Sequence, residues 1–122
     1  AIMFASHHGL DNLHLIVDDN SISMLDHTDN IVSHRDLAMR LTSFGWDCLE
    51  VDGHDIIAVQ EILLKQKNIK EGRPKAIISK TLKGHGVPGL EDASLSHIIN
   101  PKPELIDDLL ENLIDTLLEK KK

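Results

Sequence analysis

Two aspartates and an asparagine follow a short apolar run near the start of the chain. Residues 13–17 form that run, which predicts a buried strand, and Asp18, Asp19 and Asn20 come directly after it. In open parallel sheets, ligands bind beyond the carboxyl ends of the strands, where carboxylate and amide oxygens suit Mg²⁺ or Ca²⁺. Aspartate and asparagine are also common in ordinary turns, so the local pattern leaves both interpretations open.

A glycine-rich segment lies between two other candidate elements. Residues 84–89 read Gly-His-Gly-Val-Pro-Gly, which matches the spacing of the dinucleotide-binding fingerprint. That fingerprint must open a helix whose amino terminus holds the pyrophosphate, and Pro88 followed by Gly89 does not continue into an amphipathic helix. We therefore reject a dinucleotide site and expect a loop whose backbone can approach a ligand closely.

The histidines and the single cysteine indicate few metal-binding or catalytic sites. The chain has eight histidines and one cysteine, which excludes a disulfide framework and a multi-cysteine metal site, and no His-Glu-x-x-His motif is present. His54 is expected in the turn that begins a helix. His97, in a long loop, is a candidate for contacting an anion. Cys48 lies in a predicted strand and is expected to be a buried, unreactive thiol.

Strands and helices alternate along the chain. Strands are predicted at residues 13–17, 46–51 and 75–80, and helices at residues 1–8, 36–44 and 54–67. Short turns between such elements indicate βαβ units, so we predict an α/β fold with a doubly wound parallel sheet. Residues 82–103 are predicted to be a long loop, followed by an amphipathic helix from Pro103 to Lys122.

Length and charge exclude several classes of protein. With 122 residues the chain is expected to hold one domain, since domains average roughly 150 residues. The formal net charge of −7 argues against binding a nucleic-acid backbone, and the near absence of aromatic side chains argues against base stacking. No apolar run approaches the length that a membrane-spanning helix requires.

Several short strings, taken together and in order, resemble the amino-terminal domain of transketolases. They are Ala-Ser-His-His-Gly-Leu-Asp-Asn-Leu at residues 5–13, Val-Asp-Asp-Asn-Ser-Ile-Ser at 17–23, Phe-Gly-Trp at 44–46, Val-Asp-Gly-His-Asp at 51–55 and Lys-Thr-Leu-Lys-Gly-His-Gly-Val at 80–87. The resemblance covers about residues 1–100 and is greatest to the split bacterial type, which has separate amino- and carboxy-terminal subunits. We therefore expect a partial diphosphate-binding domain at 1–100 and a separate helical segment at 101–122.

The resemblance implies thiamine diphosphate and a divalent metal, Mg²⁺ or Ca²⁺, as cofactors. It implies transfer of a two-carbon ketol unit between sugar phosphates by a cytoplasmic enzyme. The Asn20 side chain and the Ile22 carbonyl would bind the metal. The implied cofactor-binding residues are Ser21, Met24, Gly84, His85, Gly86 and His97.

The resemblance also implies what this chain does not contain. The family's Gly-Asp-Gly motif, which supplies a third metal ligand, is absent, and its place would lie before Ala1. The catalytic glutamate belongs to a pyrimidine-binding domain, so we expect that domain or a carboxy-terminal subunit as partner, in a homo- or hetero-oligomer. Two alternatives stay open: a non-catalytic assembly module with this fold, and another thiamine diphosphate enzyme such as 1-deoxyxylulose-5-phosphate synthase.

Overall fold

The computed structural model describes residues 1–87, 89–91, 100 and 102–119. Its helices are α1 (Ile2–His7), α2 (Thr28–Ile31), α3 (Leu37–Ser43), α4 (Ile56–Lys67) and α5 (Pro103–Glu119). Its strands are β1 (His14–Asp19), β2 (Asp47–Asp52) and β3 (Lys75–Lys80), which form a sheet in the order β1-β3-β2. Both pairings are parallel, as predicted, and β3 is the central strand.

The chain divides into two compact units. Unit 1 comprises residues 1–19 and 34–81, and therefore holds the sheet with α1, α3 and α4. Unit 2 comprises residues 20–33 and 82–122, and among its described residues it holds α2 and α5. The domain boundary near residue 100 stays a prediction.

Helices cover both faces of the sheet in unit 1. One face carries Leu15, Ala76 and Cys48, which pack with α1 and α3 around buried Leu41 and Trp46. The Trp46 Nε1 donates to the Ile2 carbonyl over 3.1 Å, which fixes α1 to this layer. On the opposite face, His14 lies beside α4 residues Leu63 and Leu64. This arrangement confirms the doubly wound architecture.

Helices α3 and α4 begin at aspartate residues that cap them. The Asp36 carboxylate accepts the Met39 backbone N–H at 2.7 Å, and the Asp55 carboxylate accepts the Ala58 N–H at 3.0 Å. Each bond satisfies one of the backbone donors that a helix leaves unpaired at its start. Helix α3 ends before Gly45, whose φ of +86° favours glycine.

The predicted end of β1 is wrong, and one short helix has no counterpart in the sequence prediction. Asp18 and Asp19 were expected in a loop, but they are the last residues of β1 and pair with Ser79 and Lys80 of β3. The apolar run stops at Val17, whereas the backbone pairing continues for two further residues. Helix α2 has only four residues, too few for a hydrophobic period to indicate it.

Lys75 is the one charged residue of β3 that is buried, at 1% exposed. Its Nζ donates to the Asp11 carbonyl oxygen at 2.6 Å and to the Arg73 carbonyl at 3.4 Å. A buried ammonium group is costly unless it is hydrogen-bonded, and these carbonyls provide the bonds. Lys75 therefore ties the start of β3 to the segment before β1.

Candidate functional site

Lys80 and Thr81 connect the carboxyl ends of all three strands. The Lys80 Nζ donates to the Asp19 carboxylate at 2.7 Å, and its carbonyl accepts the Gly53 N–H at 2.7 Å. The Thr81 N–H donates to the Asp19 carbonyl at 3.2 Å, while its hydroxyl donates to the Asp18 carboxylate. Because both carboxylates bond to unit 1 residues, they hold the strand ends in place.

Gly53 brings two of the sequence motifs into contact. A side chain at Gly53 would overlap Ser79 Oγ and Thr81 Cγ2, and its Cβ would lie 3.1 Å from the Lys80 carbonyl oxygen. The Val-Asp-Gly-His-Asp string therefore needs glycine at its centre so that the end of β2 can lie against the end of β3. His54 lies in the turn before α4, as expected, with its N–H donating to the Asp52 carboxylate at 2.9 Å.

Asn20, Ser21 and Ile22 form a tight turn at the start of unit 2. The Asn20 side-chain oxygen accepts the Ile22 N–H at 3.0 Å, and Ser21 has a φ of +62°. Left-handed backbone at a residue other than glycine costs free energy and often marks functional sites. The structure therefore constrains Asn20 and Ile22, which the resemblance singles out for metal binding, and Ser21 between them.

A short antiparallel bridge closes this turn. Ile22 lies opposite His27, and the two flanking hydrogen bonds run from Thr28 N–H to the Ser21 carbonyl (2.9 Å) and from Ser23 N–H to the Asp26 carbonyl (2.8 Å). Neither bond uses the Ile22 carbonyl. The Ile22 side chain is buried, which anchors the turn.

Asp26 stabilises the same turn through its carboxylate. One oxygen accepts the His27 N–H at 2.7 Å and the other accepts the Asn30 side chain at 3.0 Å. These hydrogen bonds, first that of His27 and then that of Asn30, lower the pKa of Asp26 below its ordinary value. Sequence reasoning missed Asp26, which lies two residues before α2, although aspartate is a common turn residue.

The turn offers two uncharged oxygen donors to a hard cation. A side-chain amide oxygen has two lone pairs, so the Asn20 oxygen can accept the Ile22 N–H and still ligate a metal. Asn20 and Ile22 therefore fit part of a Mg²⁺ or Ca²⁺ site whose other ligands are phosphate oxygens or water. Within the residues that the structure describes, no group of three or more His, Cys, Asp or Glu side chains could hold a metal by itself.

The 84–86 loop also belongs to unit 2. Gly84 and Gly86 both have positive φ, and residues 82–87 and 89–91 contain turns but neither helix nor strand. Met24 is 65% exposed, and His97 lies outside the described residues.

A cavity of about 340 Å³ lies elsewhere, in unit 1, and is lined by His14, Leu63, Leu64 and Lys67. His14 begins β1, at the end of the strand opposite to Asp19. None of the sequence-predicted site residues that the structure describes lines this cavity. Cys48 is half-buried, not fully buried as predicted, and burial raises the pKa of its thiol.

An open parallel sheet with helices on both faces, whose strand ends lead into oxygen-rich turns, defines an α/β domain of the doubly wound ligand-binding class. The family model for the transketolase thiamine diphosphate-binding domain matches residues 1–111. The chain therefore belongs to the transketolase family. Within the described residues, no helix is long and apolar enough to cross a membrane.

Individual relatives agree with this assignment. The chain is 35% identical to transketolase-like protein 1 of Bos taurus, over all of this chain and 20% of that protein. Transketolase from Campylobacter jejuni matches 92% of the chain with a TM-score of 0.78 at 29% identity, and the match covers 17% of that protein. Pichia stipitis transketolase, solved with sedoheptulose-7-phosphate, matches with a TM-score of 0.77 at 27% identity, over 92% of this chain and 16% of that one. The chain thus spans about a fifth of the length of the curated relatives it matches.

Proposed function

We propose that this chain supplies part of the metal and diphosphate site of a transketolase-type enzyme. The cofactors would be thiamine diphosphate and Mg²⁺ or Ca²⁺, and the substrates would be sugar phosphates. The observation that carries the proposal is the Asn20–Ile22 turn, which presents two oxygen donors on a constrained backbone within a chain of this family.

In this proposal the side-chain oxygen of Asn20 and the carbonyl oxygen of Ile22 ligate the metal. Ser21 lies between them, and its left-handed backbone keeps the two donors in one turn. The bridge to His27 holds the Ile22 carbonyl in a fixed orientation without using it as an acceptor. A backbone constrained in this way loses less conformational freedom when it binds a cation, which reduces the entropic cost of binding.

The remaining candidate residues would contact the cofactor rather than the metal. Met24 would lie near the thiazolium ring, and its exposed, adaptable side chain suits an apolar contact. The 84–86 loop and His97 would pass beside the diphosphate. When bound, thiamine diphosphate supplies the carbon nucleophile that carries the two-carbon unit.

The proposal assigns a binding role to this chain and the catalytic glutamate to a partner. That partner would be a pyrimidine-binding domain or a carboxy-terminal subunit, assembled in a homo- or hetero-oligomer. The sugar phosphate proposed here as substrate is of the same class as the ligand of the Pichia stipitis transketolase.

A calorimetric titration with thiamine diphosphate, with and without Mg²⁺, tests the proposal. The full natural polypeptide that carries this chain should bind the cofactor only weakly without metal. Asn20→Ala should weaken metal-dependent binding by at least about tenfold, since even residues that merely orient metal ligands contribute that much. Asn68→Ala is the matched control, because Asn68 donates to the Leu64 carbonyl at the end of α4 and should not affect binding.

Equal affinities in the two variants would contradict the assignment of Asn20. A wild-type protein that binds no thiamine diphosphate with Mg²⁺ would contradict the proposed function as a whole.

A further inference from the structure

The glycine-rich loop is closed on itself by backbone hydrogen bonds. The His85 N–H donates to the Leu82 carbonyl at 3.1 Å, the Val87 N–H to Gly84 at 3.0 Å and the Leu90 N–H to Val87 at 3.0 Å. A Cβ at Gly84 would overlap the Leu90 carbonyl oxygen. The backbone at Leu90 therefore returns to Gly84, which brings Glu91 beside the loop.

One carboxylate oxygen of Glu91 faces two groups of the loop. The Gly86 N–H donates to Glu91 Oε1 at 2.8 Å, and His85 Nδ1 lies 3.4 Å from the same oxygen. Both side chains are partly exposed, so this contact depends on geometry rather than on burial. A carboxylate that accepts a backbone N–H forms a charge-assisted bond, which is stronger than a bond between neutral groups.

The negative charge of Glu91 distinguishes between two roles, which are to contact the diphosphate directly and to hold the loop that contacts it. A carboxylate that contacted a diphosphate would repel it, because both groups are anionic at neutral pH. Glu91 instead directs its oxygen at donors within the loop. Its place therefore fits a residue that holds the loop and leaves contact with the ligand to others.

We propose that Glu91 is a positioning residue for the 84–86 loop, acting through the Gly86 N–H and the ring of His85. This inference rests on the proposed function, because it assumes that the loop passes the diphosphate. The carboxylate holds the backbone at Gly86, whose φ is +86°. Because glycine can adopt many other backbone conformations, this bond selects one of them. The same oxygen lies 3.4 Å from His85 Nδ1, so Glu91 also contacts the ring of the residue before Gly86.

The first test measures the loop without any cofactor. In Glu91→Ala, the amide proton of Gly86 should shift upfield and exchange faster with solvent, as measured by NMR in the full natural polypeptide. Glu91→Gln should keep the Gly86 resonance near its wild-type position, because the amide oxygen of glutamine still accepts the bond. An unchanged Gly86 resonance in Glu91→Ala would overturn the proposal.

The second test measures affinity for thiamine diphosphate in the presence of Mg²⁺. Glu91→Ala should raise the dissociation constant about tenfold, as expected for a residue that orients a ligand-binding group, and Glu91→Gln should restore most of the affinity. Glu71→Ala is the control: Glu71 pairs with Arg73 in unit 1, so its loss should leave binding unchanged.

The outcomes separate this inference from the proposed function. If the wild type binds the cofactor and Glu91→Ala binds it equally well, the positioning role is wrong while the function stands. If the wild type does not bind the cofactor at all, the proposed function fails. Equal losses in Glu91→Ala and Glu91→Gln would show that the amide oxygen cannot replace the carboxylate, which overturns the role through Gly86.

Discussion

Strand β3 and helix α5 are both rich in aliphatic residues, but they bury them to opposite extents. Ile77 and Ile78 of β3 are 1% and 0% exposed, whereas Ile114 and Leu117 of α5 are 55% and 53% exposed. β3 has a hydrogen-bonded neighbour on each side and helices over both faces of the sheet. An apolar pattern therefore predicts whether a segment is a strand or a helix. The elements packed against that segment determine how much its apolar residues contribute to stability.

A second contrast concerns how the candidate site is held. The carboxyl ends of the strands are joined by residues far apart in sequence, such as Asp19 with Lys80. In the turn that begins at Asn20, the hydrogen bonds of Asn20 with Ile22, Ser23 with Asp26 and Thr28 with Ser21 instead span seven residues or fewer. These bonds are therefore encoded locally.

The largest expected effect tests the first contrast directly. Ile77→Ala should destabilise the protein by about 2–5 kcal/mol, because the substitution leaves a cavity in the centre of the sheet. Ile114→Ala on α5 should change the free energy of unfolding by less than about 0.5 kcal/mol, as for most exposed positions. Urea unfolding followed by circular dichroism measures both. Similar losses for the two variants would show that α5 is covered in the natural polypeptide.

Gly53→Ala tests how tightly the strand ends pack. The new methyl group would overlap Ser79 and Thr81, and overpacking of this kind costs about 1–3 kcal/mol. Gly72→Ala is the control, since a Cβ there meets nothing within 4 Å and only the positive φ of +66° opposes it. Thermal unfolding measures both variants. If Gly53→Ala were more stable than Gly72→Ala, the strand ends would not pack tightly around Gly53.

Gln66 should be replaceable with a gain in stability. Its side chain is fully buried, and neither amide atom has a hydrogen-bond partner among the described residues. Gln66→Met removes two unpaired polar atoms at similar volume, so the free energy of unfolding should rise by about 1–2 kcal/mol. A loss of stability, measured by urea unfolding, would mean that a partner for the amide exists in the natural polypeptide.

The smallest expected effect concerns the ion pair of Lys80 with Asp19. The hydrogen bond from Lys80 to Asp19 raises the pKa of the lysine above its ordinary 10.5. The contribution of this ion pair to the free energy of unfolding is therefore fully present below pH 10.5. It is lost as the pH rises through the higher pKa that the lysine has in the folded state. Because the lysine side chain is half exposed, Lys80→Met should cost no more than about 1 kcal/mol.

Urea unfolding at a series of pH values, compared between Lys80→Met and the wild type, checks this prediction. The difference in the free energy of unfolding should be constant near neutral pH and should shrink under strongly alkaline conditions. A difference that grows with alkaline pH would show that the pair does not stabilise the folded state.

Much of the fold could be predicted because its signals are local. The apolar runs of β1, β2 and β3, the capping aspartates of α3 and α4, and Gly45 after α3 are all legible in the sequence. The ends of β1 were not, because Asp18 and Asp19 are polar residues that stay in the strand through pairing with β3. The burial of Lys75 could not be predicted from its charge, because the carbonyl oxygen of Asp11, which is distant in sequence, accepts a hydrogen bond from its Nζ.

The candidate site was predictable in composition but not in geometry. The motif strings located Asn20, Ile22 and the 84–86 loop, and these residues remain predictions as ligands. No sequence signal indicated that Lys80 and Thr81 join the strand ends, or that Glu91 faces Gly86. Such contacts depend on how the chain returns on itself, which residue spacing alone does not specify.

Locating the bound cation is the most direct test of whether the Asn20–Ile22 turn binds the metal. We would add Mn²⁺ and thiamine diphosphate to the full natural polypeptide and record which NMR signals broaden through the paramagnetic metal. The account predicts that the Asn20 side-chain amide and the backbone of Ser21 and Ile22 broaden first, and that Asn20→Ala abolishes this pattern. Broadening centred elsewhere, such as on His14 beside the unit 1 cavity, would contradict the assignment of the metal to this turn.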